Sequence, residues 1–93
     1  MIVNFKDQST EKIWNQTFAQ KIPPELQRIA LRKMILIHGA AELDDLKIPP
    51  GNKLETLKGD RKGQHSIRIN NQFRICFVWK NNNVYNVEIT DYH

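Results

Sequence analysis

The first half of the chain places apolar residues at helical spacing. One apolar face follows the capping oxygens of Asp7, Ser9 and Thr10 and is made of Ile13, Trp14, Thr17 and Phe18. Pro23-Pro24 ends this helix and begins another, because proline is tolerated in a first helical turn. The stripe of the second helix consists of Ile29, Ala30, Met34 and Ile37. We expect this helix to end at His38-Gly39, with Gly39 as a left-handed cap, and a shorter helical turn to follow before Pro49.

A spacing of two residues dominates the rest of the sequence and predicts strands. Met1, Val3 and Phe5 alternate in a short first strand. After Lys53 a strand bracketed by Leu54 and Leu57 is followed by three more, whose inward positions are Ile67, Ile69, Phe73, Ile75, Phe77, Trp79, Tyr85, Val87 and Ile89. Asn70-Asn71 and Asn81-Asn82-Asn83 separate these strands, and asparagine tolerates the positive φ angles of tight hairpins.

These elements predict one α+β domain over residues 1–93, with two N-terminal helices packed on one face of a mostly antiparallel sheet. The opposite sheet face carries Arg68, Arg74 and part of a basic turn that runs from Lys58 to Gly63. That face is therefore where we expect an anion to bind. The turn itself does not precede a helix, so we interpret it as a structural turn with basic side chains rather than as a nucleotide-binding loop.

Composition narrows the class of protein. The chain is 40% hydrophobic and 26% charged, which is typical of a globular domain, and its formal net charge of +4 favours a polyanionic partner. Charge alone does not choose between nucleic acid and an acidic protein. A single cysteine, Cys76, excludes a disulfide framework and a clustered cysteine metal site, and we interpret it as a small packing residue. We expect a cytoplasmic protein with no signal sequence and no membrane span.

The polar residues have the chemistry needed to cleave RNA. In-line attack by a 2′-hydroxyl requires a proton acceptor, cationic donors around the phosphate and a proton donor for the departing 5′-oxygen, but no metal or other cofactor. The C-terminal residues Asp91, Tyr92 and His93 are candidates for proton transfer. The candidate phosphate donors are Lys58, Arg61, Arg68 and Arg74.

Each of these residues also has a purely structural interpretation, which the residues alone leave open. Arg74 is either a transition-state donor or a solvated residue of the sheet face. His93 is either an acid or part of a frayed terminus. His65, at the start of a strand, is either a surface pairing residue or a substrate contact.

Three segments resemble the HigB-type toxins of bacterial type II toxin–antitoxin systems, the plasmid-maintenance killer proteins of the RelE/ParE superfamily. They are residues 49–70, which include Leu57-Lys58-Gly59-Asp60-Arg61, then Phe73-Arg74-Ile75-Cys76-Phe77, and finally Val87-Glu88-Ile89-Thr90-Asp91-Tyr92-His93. The resemblance covers essentially the whole chain. It implies a RelE-like fold and a metal-independent endonuclease that cuts messenger RNA on translating ribosomes. It also implies neutralisation by a HigA-type helix-turn-helix antitoxin, through which alone the toxin would reach operator DNA.

Carried over by position, the resemblance implies catalytic roles for Lys58, Arg74, Asp91, Tyr92 and His93. Some family members have a histidine at the position of Glu55, so either Glu55 or His93 would act as the base here. The expected RNA-binding residues are Arg61, Lys62, His65 and Arg68.

Two other functions compete with the nuclease. One is a ParE-like toxin that binds and poisons DNA gyrase without cutting RNA, but it gives the terminal Asp91-Tyr92-His93 no task. The other is a general basic nucleic-acid-binding module, which lacks the interleaved exposed aromatic residues that single-strand binders use for stacking.

Overall fold

A computed structural model describes residues 1–91 and confirms the α+β architecture. Two helices, α1 (Gln8–Trp14) and α2 (Pro24–Gly39), precede 3-10 helices at Leu43–Lys47 and Pro50–Asn52. The strands are β1 (Glu55–Thr56), β2 (Gln64–Arg68), β3 (Phe73–Lys80) and β4 (Asn83–Asp91). A third 3-10 helix, Gly59–Arg61, joins β1 to β2. The strands form an antiparallel sheet in the order β1-β2-β3-β4, as expected for a chain in which each strand turns back on the previous one.

The helices cover one face of the sheet, and the core lies between them. The buried stripe of α2 is Leu26, Ala30, Met34 and Ile37. It packs in one cluster with the inward sheet positions Ile67, Ile75, Phe77, Val87 and Ile89. Because side chains alternate along a strand, the residues between these positions point to the other face. The core thus fixes which side chains form the polar face.

The end of α1 differs from the sequence prediction. The helix stops at Trp14, Gln16 has a φ of 60°, and Phe18 is exposed. Ala19 and Ile22 are buried in its place. Gln27 of α2 explains this connection, because its side chain accepts a hydrogen bond from the amide of Ala19 and donates to the carbonyls of Ala19 and Ile22.

The predicted left-handed cap at Gly39 was also wrong. α2 does end at this glycine, but the following Ala40 has extended backbone, with φ −69° and ψ 130°. His38, in the last turn, accepts a hydrogen bond at Nδ1 from the amide of Ile2. This helix end therefore combines a local hydrogen bond, from the Ala40 amide to the carbonyl of Ile37, with the long-range contact of His38.

The predicted N-terminal strand is reduced to two isolated parallel bridges, Ile2 with Val84 and Phe5 with Val87. Met1 and Val3 are exposed, so the expected alternation was wrong for this segment. The bridging residues are three apart because Asn4 turns its side chain to accept a hydrogen bond from the amide of Asn86. This segment covers the outer edge of β4 and satisfies backbone groups that an open edge would expose.

The two asparagine turns differ from each other. Asn81 and Asn82 have φ angles of 53° and 62°, which confirms the predicted tight hairpin between β3 and β4. Asn70 and Asn71 do not have the positive φ angles that were expected. Instead, the side chain of Asn70 accepts hydrogen bonds from the amides of Gln72 and Phe73, so it closes the turn as a side-chain acceptor.

Among residues 1–91, neither α-helix has the length and apolar character needed to cross a bilayer.

Candidate active site

The sheet face opposite the helices carries two rows of polar side chains. The register places Glu55, Ser66, Cys76 and Glu88 side by side in one row. It places Arg68, Arg74 and Thr90 in the next row. We call this surface the polar face. The alternation in the sequence correctly predicted that Arg68 and Arg74 would share it.

Arg74 lies nearly buried at the centre of the polar face, with 8% of its surface exposed. Its Nε donates to Ser66 Oγ at 2.8 Å, and one terminal nitrogen donates to the carbonyl of Lys53 at 2.7 Å. The same nitrogen lies 3.7 Å from a carboxylate oxygen of Glu55. Lys53 can present its carbonyl here because its backbone is left-handed, with a φ of 47°. The guanidinium is therefore held in one orientation before any substrate arrives.

Arg61 approaches the polar face from the basic turn. Gly59 and Gly63 have φ angles of 64° and 92°, a conformation that glycine adopts without steric cost. The Arg61 guanidinium donates to Gln64 Oε1 and Glu88 Oε1, both at 3.0 Å. The hydrogen bond to Glu88 raises the pKa of Arg61 above its ordinary value, against an opposing effect of burial. Arg61 is thus a fixed cation at any physiological pH.

An open groove of about 370 Å³ lies between β1 and the basic turn. It is lined by Glu55, Thr56, Leu57, Lys58 and Arg61. Lys58 and Lys62 flank the short helix Gly59–Arg61 and are exposed. The fold therefore brings together three of the predicted residues, Glu55, Lys58 and Arg61, in one polar groove next to Arg74.

Asp91 ends β4 beside Phe73, the residue before Arg74 on β3. Its carboxylate accepts a hydrogen bond from Gln72 Nε2 at 3.1 Å. Because Asp91 pairs with Phe73, it lies on the same side of the sheet as Phe73 and Ile89, whereas the preceding Thr90 lies on the polar face. Tyr92 and His93 lie outside the described residues, and their catalytic roles stay predictions.

His65 and Arg68 are placed differently from each other. Arg68 lies on the polar face and donates from Nε to the carbonyl of Asn70. His65 pairs with Phe77 across the sheet, with ring centroids 6.1 Å apart, and so belongs to the helix-covered face. Its Nδ1 lies 3.1 Å from Thr56 Oγ1. The structure does not bring His65 together with Arg74, and its predicted contact with RNA stays a prediction.

The position of His65 predicts a pH dependence of stability. Burial lowers the pKa of His65 below its ordinary 6.5. As the pH falls through 6.5, the unfolded chain takes up a proton at His65 that the folded chain does not. Stability therefore decreases until the pH passes below the folded pKa. We expect His65→Gln to reduce the loss of unfolding free energy between pH 7 and pH 5, measured by urea denaturation. An unchanged pH slope in the variant would contradict this assignment.

A family model described as "RelE-like toxin of type II toxin-antitoxin system HigB" matches residues 3–93. The chain belongs to this HigB-like toxin family. It is 38% identical to Toxin HigB-1 of Vibrio cholerae serotype O1 over 80 residues, which cover 85% of the chain and 84% of that protein. It is 32% identical over 94 residues to Endoribonuclease HigB of Proteus vulgaris, with both proteins fully covered.

A solved structure agrees with the fold of the family. The YoeB-YefM complex from Staphylococcus aureus contains a chain that matches with a TM-score of 0.59 at 20% identity, covering 100% of this chain and 95% of that one. At this level of identity the match concerns the fold alone. The resemblance to HigB-type toxins and the expected RelE-like fold are thus confirmed.

Several residues of the polar face were not predicted as functional. Ser66, Gln64 and Glu88 position the two arginines, and strand alternation already placed Ser66 and Glu88 on the same face as Arg74. The sequence did not show which of these side chains would contact Arg61 and Arg74, because those contacts depend on the register across three strands. Cys76 is fully buried between Ser66 and Glu88, in agreement with its predicted packing role. Within residues 1–91, the acidic, histidine and cysteine side chains form no cluster suited to a metal ion.

Proposed function

We propose that this toxin is a metal-independent endoribonuclease that cuts messenger RNA on translating ribosomes in the bacterial cytoplasm. The main support for the proposal is the guanidinium of Arg74, which two hydrogen bonds hold in the polar face next to Glu55 and the groove of Lys58 and Arg61. The Proteus vulgaris relative, which aligns over the whole chain, is named an endoribonuclease. The positive net charge of the chain suits both RNA and a ribosomal surface.

The proposed reaction is transfer of the phosphate from the 5′-oxygen to the neighbouring 2′-oxygen. The 2′-oxygen attacks phosphorus and loses its proton to a base, and the 5′-oxygen departs with a proton from an acid. The products are a 2′,3′-cyclic phosphate and a 5′-hydroxyl. Negative charge grows on the phosphate oxygens in the transition state, and Arg74 and Lys58 would stabilise it. A preset arginine is suited to this role, because its fork matches two phosphate oxygens.

Proton transfer is assigned to the carboxylate of Glu55 and to the C-terminal residues. Glu55 is half exposed, and its carboxylate approaches Arg74 to 3.7 Å, so it can reach a proton close to a bound phosphate. Either Glu55 or His93 is the base, and His93 is the acid when Glu55 is the base. Asp91 and Tyr92 complete the proposed catalytic group.

The RNA strand would follow the basic residues around this centre. Arg61, Lys62 and Arg68 lie on the polar face or the basic turn that overhangs it. These cations would contact phosphates on either side of the cleaved bond. His65, which lies on the helix-covered face between Thr56 and Phe77, is retained as a proposed RNA contact.

We also propose that a HigA-type helix-turn-helix antitoxin neutralises the toxin and carries it to operator DNA. Family membership supports an antitoxin partner, since the family consists of toxins from type II toxin–antitoxin systems. The Staphylococcus aureus structure is titled as a complex of YoeB with YefM, so a protein of this fold forms such a complex.

The proposal predicts where RNA is cut. Brief induction of the wild-type toxin should produce new 5′-hydroxyl ends within translated regions, detected by mapping transcript ends, and stripping ribosomes from messages should abolish them. Glu55→Ala and His93→Ala, induced alongside, should both lower the yield of ends. With purified toxin and ribosomes, the variant that loses the acidic limb of the pH–rate profile has lost the base. Growth arrest with intact transcripts and altered plasmid supercoiling would instead identify a gyrase poison.

A further inference from the structure

Four large aliphatic side chains are exposed close together beside the outer surface of α2. Ile29, Ile35, Leu36 and Ile48 are 36%, 54%, 42% and 74% exposed. A shallow concavity over Ile29, Arg32, Lys33, Ile35 and Leu36 adjoins a second one that reaches Ile48, and Ile35 and Leu36 line both. We call this continuous surface the α2 patch, made of Ile29, Arg32, Lys33, Ile35, Leu36 and Ile48. Single exposed apolar residues are ordinary, but a contiguous group on a small protein indicates an interface.

The α2 patch is cationic as well as apolar. Ile29 and Leu36 are seven residues apart on one helix face, with Arg32 and Lys33 between them. Arg32 is exposed, and Lys33 is half buried with its amine against Asn52 Oδ1. Glu25, in the first turn, is the single acidic residue of α2. Asp45 lines the second concavity, but its carboxylate already accepts hydrogen bonds from the amides of Ala41 and Glu42. A partner that covers this surface must bury aliphatic groups and supply negative charge.

The apolar and cationic character of the α2 patch distinguishes between the possible binding partners. RNA offers negative charge, but its contact surfaces favour basic and polar residues, so it leaves four aliphatic side chains unmatched. A second copy would pair apolar groups, but a twofold axis through the middle of α2 would bring Arg32 and Lys33 against their own copies. An amphipathic protein segment with acidic residues beside its apolar stripe satisfies both requirements.

We propose that the α2 patch binds an acidic, amphipathic segment of the antitoxin. This inference rests on the proposed partnership with an antitoxin, and it adds the surface and the chemistry of the contact. The α2 patch belongs to the helix layer, whereas Arg74 and its contacts lie on the opposite face of the sheet. Substitutions in the patch should therefore leave cleavage by the isolated toxin unchanged.

The test measures the affinity of the toxin for the antitoxin encoded with it, by isothermal titration calorimetry. Arg32→Glu and Leu36→Ser should each weaken binding by about tenfold or more, as expected for charged and apolar residues inside an interface. Lys12→Glu and Val3→Ser are matched controls, because they alter an exposed cation and an exposed apolar residue outside the patch. Both controls should bind like the wild type.

Unchanged affinity in Arg32→Glu and Leu36→Ser would overturn the proposal. The proposal would also be overturned if the variants changed only the molar mass of the isolated toxin in solution, because a second copy would then be the partner. A change only in ribosome binding would overturn it as well, because RNA would then be the partner. Hydroxyl-radical footprinting of the wild-type toxin needs no substitution: antitoxin binding should protect Ile35, Leu36 and Ile48. Lack of protection would contradict the proposal even if a variant failed to fold. Because the readout is antitoxin binding, failure of the nuclease assignment would be seen separately, in the transcript ends.

Discussion

Replacing Arg74 with lysine is expected to lower the rate of RNA cleavage by on the order of 10²-fold, because a preset donor to transition-state charge typically contributes that much or more. Lysine keeps the positive charge but loses the planar fork. It cannot donate to Ser66 and the carbonyl of Lys53 while also presenting two parallel donors to a phosphate. The measurement is cleavage of a translated message by purified toxin and ribosomes.

The substitution Arg74→Lys should slow the chemical step more than it weakens RNA binding. Arg61 and the exposed lysines of the basic turn still supply positive charge in Arg74→Lys, so the net attraction of RNA changes little. Under single-turnover conditions the maximal rate should drop while the half-saturating ribosome concentration stays nearly constant. This split distinguishes a donor to the reacting phosphate from a cation that only attracts RNA.

Arg28→Lys is the matched control, since Arg28 is an exposed arginine of α2 away from the polar face. It should cleave RNA at the wild-type rate. Urea unfolding of Arg74→Lys shows how much of any loss comes from instability, because Arg74 is nearly buried and its partners lose a hydrogen-bond donor. Wild-type cleavage by a folded Arg74→Lys toxin would remove Arg74 from the proposed mechanism.

Local patterns predicted the parts of this fold that depend on nearby residues. Proline at the start of α2, alternation along β2 and β3 and the Asn81-Asn82 turn all act within a few positions of the chain. In β4 the predicted inward position Tyr85 was wrong, since Val84 is buried instead and the strand is irregular between them and Val87, with a φ of 55° at Asn86. The predicted strand at Met1 failed because its true partners, Val84 and Val87, are about eighty residues away. At the end of α2, the contact of His38 with the amide of Ile2 joins residues 36 positions apart, and no local pattern predicts it.

The candidate site likewise has features that local sequence patterns predicted and features that depend on distant residues. Alternation placed Arg74 on the correct face but left its environment open, and the sequence allowed a solvated arginine. Its burial depends on the left-handed backbone at Lys53 and on the register that sets Ser66 beside it. The pairing of Arg61 with Glu88 joins residues 27 positions apart, and no local signal specifies it. What the sequence lacked was therefore the set of contacts that turn basic residues into a fixed site.

These contacts also bear on how the two arginines divide their work. Arg61 is held by the carboxylate of Glu88, which partly neutralises its charge. Arg61 therefore serves mainly to hold the basic turn against the sheet. The hydrogen bonds of Arg74 to Ser66 and to the carbonyl of Lys53 fix the orientation of its guanidinium on the polar face, as a donor to a phosphate requires.

Removal of Tyr92 and His93 should abolish growth arrest and lower RNA cleavage by about 10²-fold or more, the usual contribution of a positioned proton donor or acceptor. β4 ends at Asp91, next to the residue that precedes Arg74, and these two residues follow it in the sequence. Imidazole is the side chain best suited to proton exchange at neutral pH, so His93 is the residue whose loss should matter most.

The truncation must be separated from unfolding and from loss of RNA binding. Within residues 1–91 the core cluster ends at Ile89, and we expect the urea midpoint of the truncated toxin to stay close to that of the wild type. His93→Gln, which retains the chain length and hydrogen-bonding capacity, should reproduce most of the loss, whereas Lys80→Gln, at the exposed far end of β3, should have no effect. Ribosome binding by the truncated toxin should be retained, because the cations of the polar face remain. Full toxicity of the truncated protein would mean that proton transfer is performed by Glu55 and solvent alone, and the assignment of the C-terminal residues would have to be withdrawn.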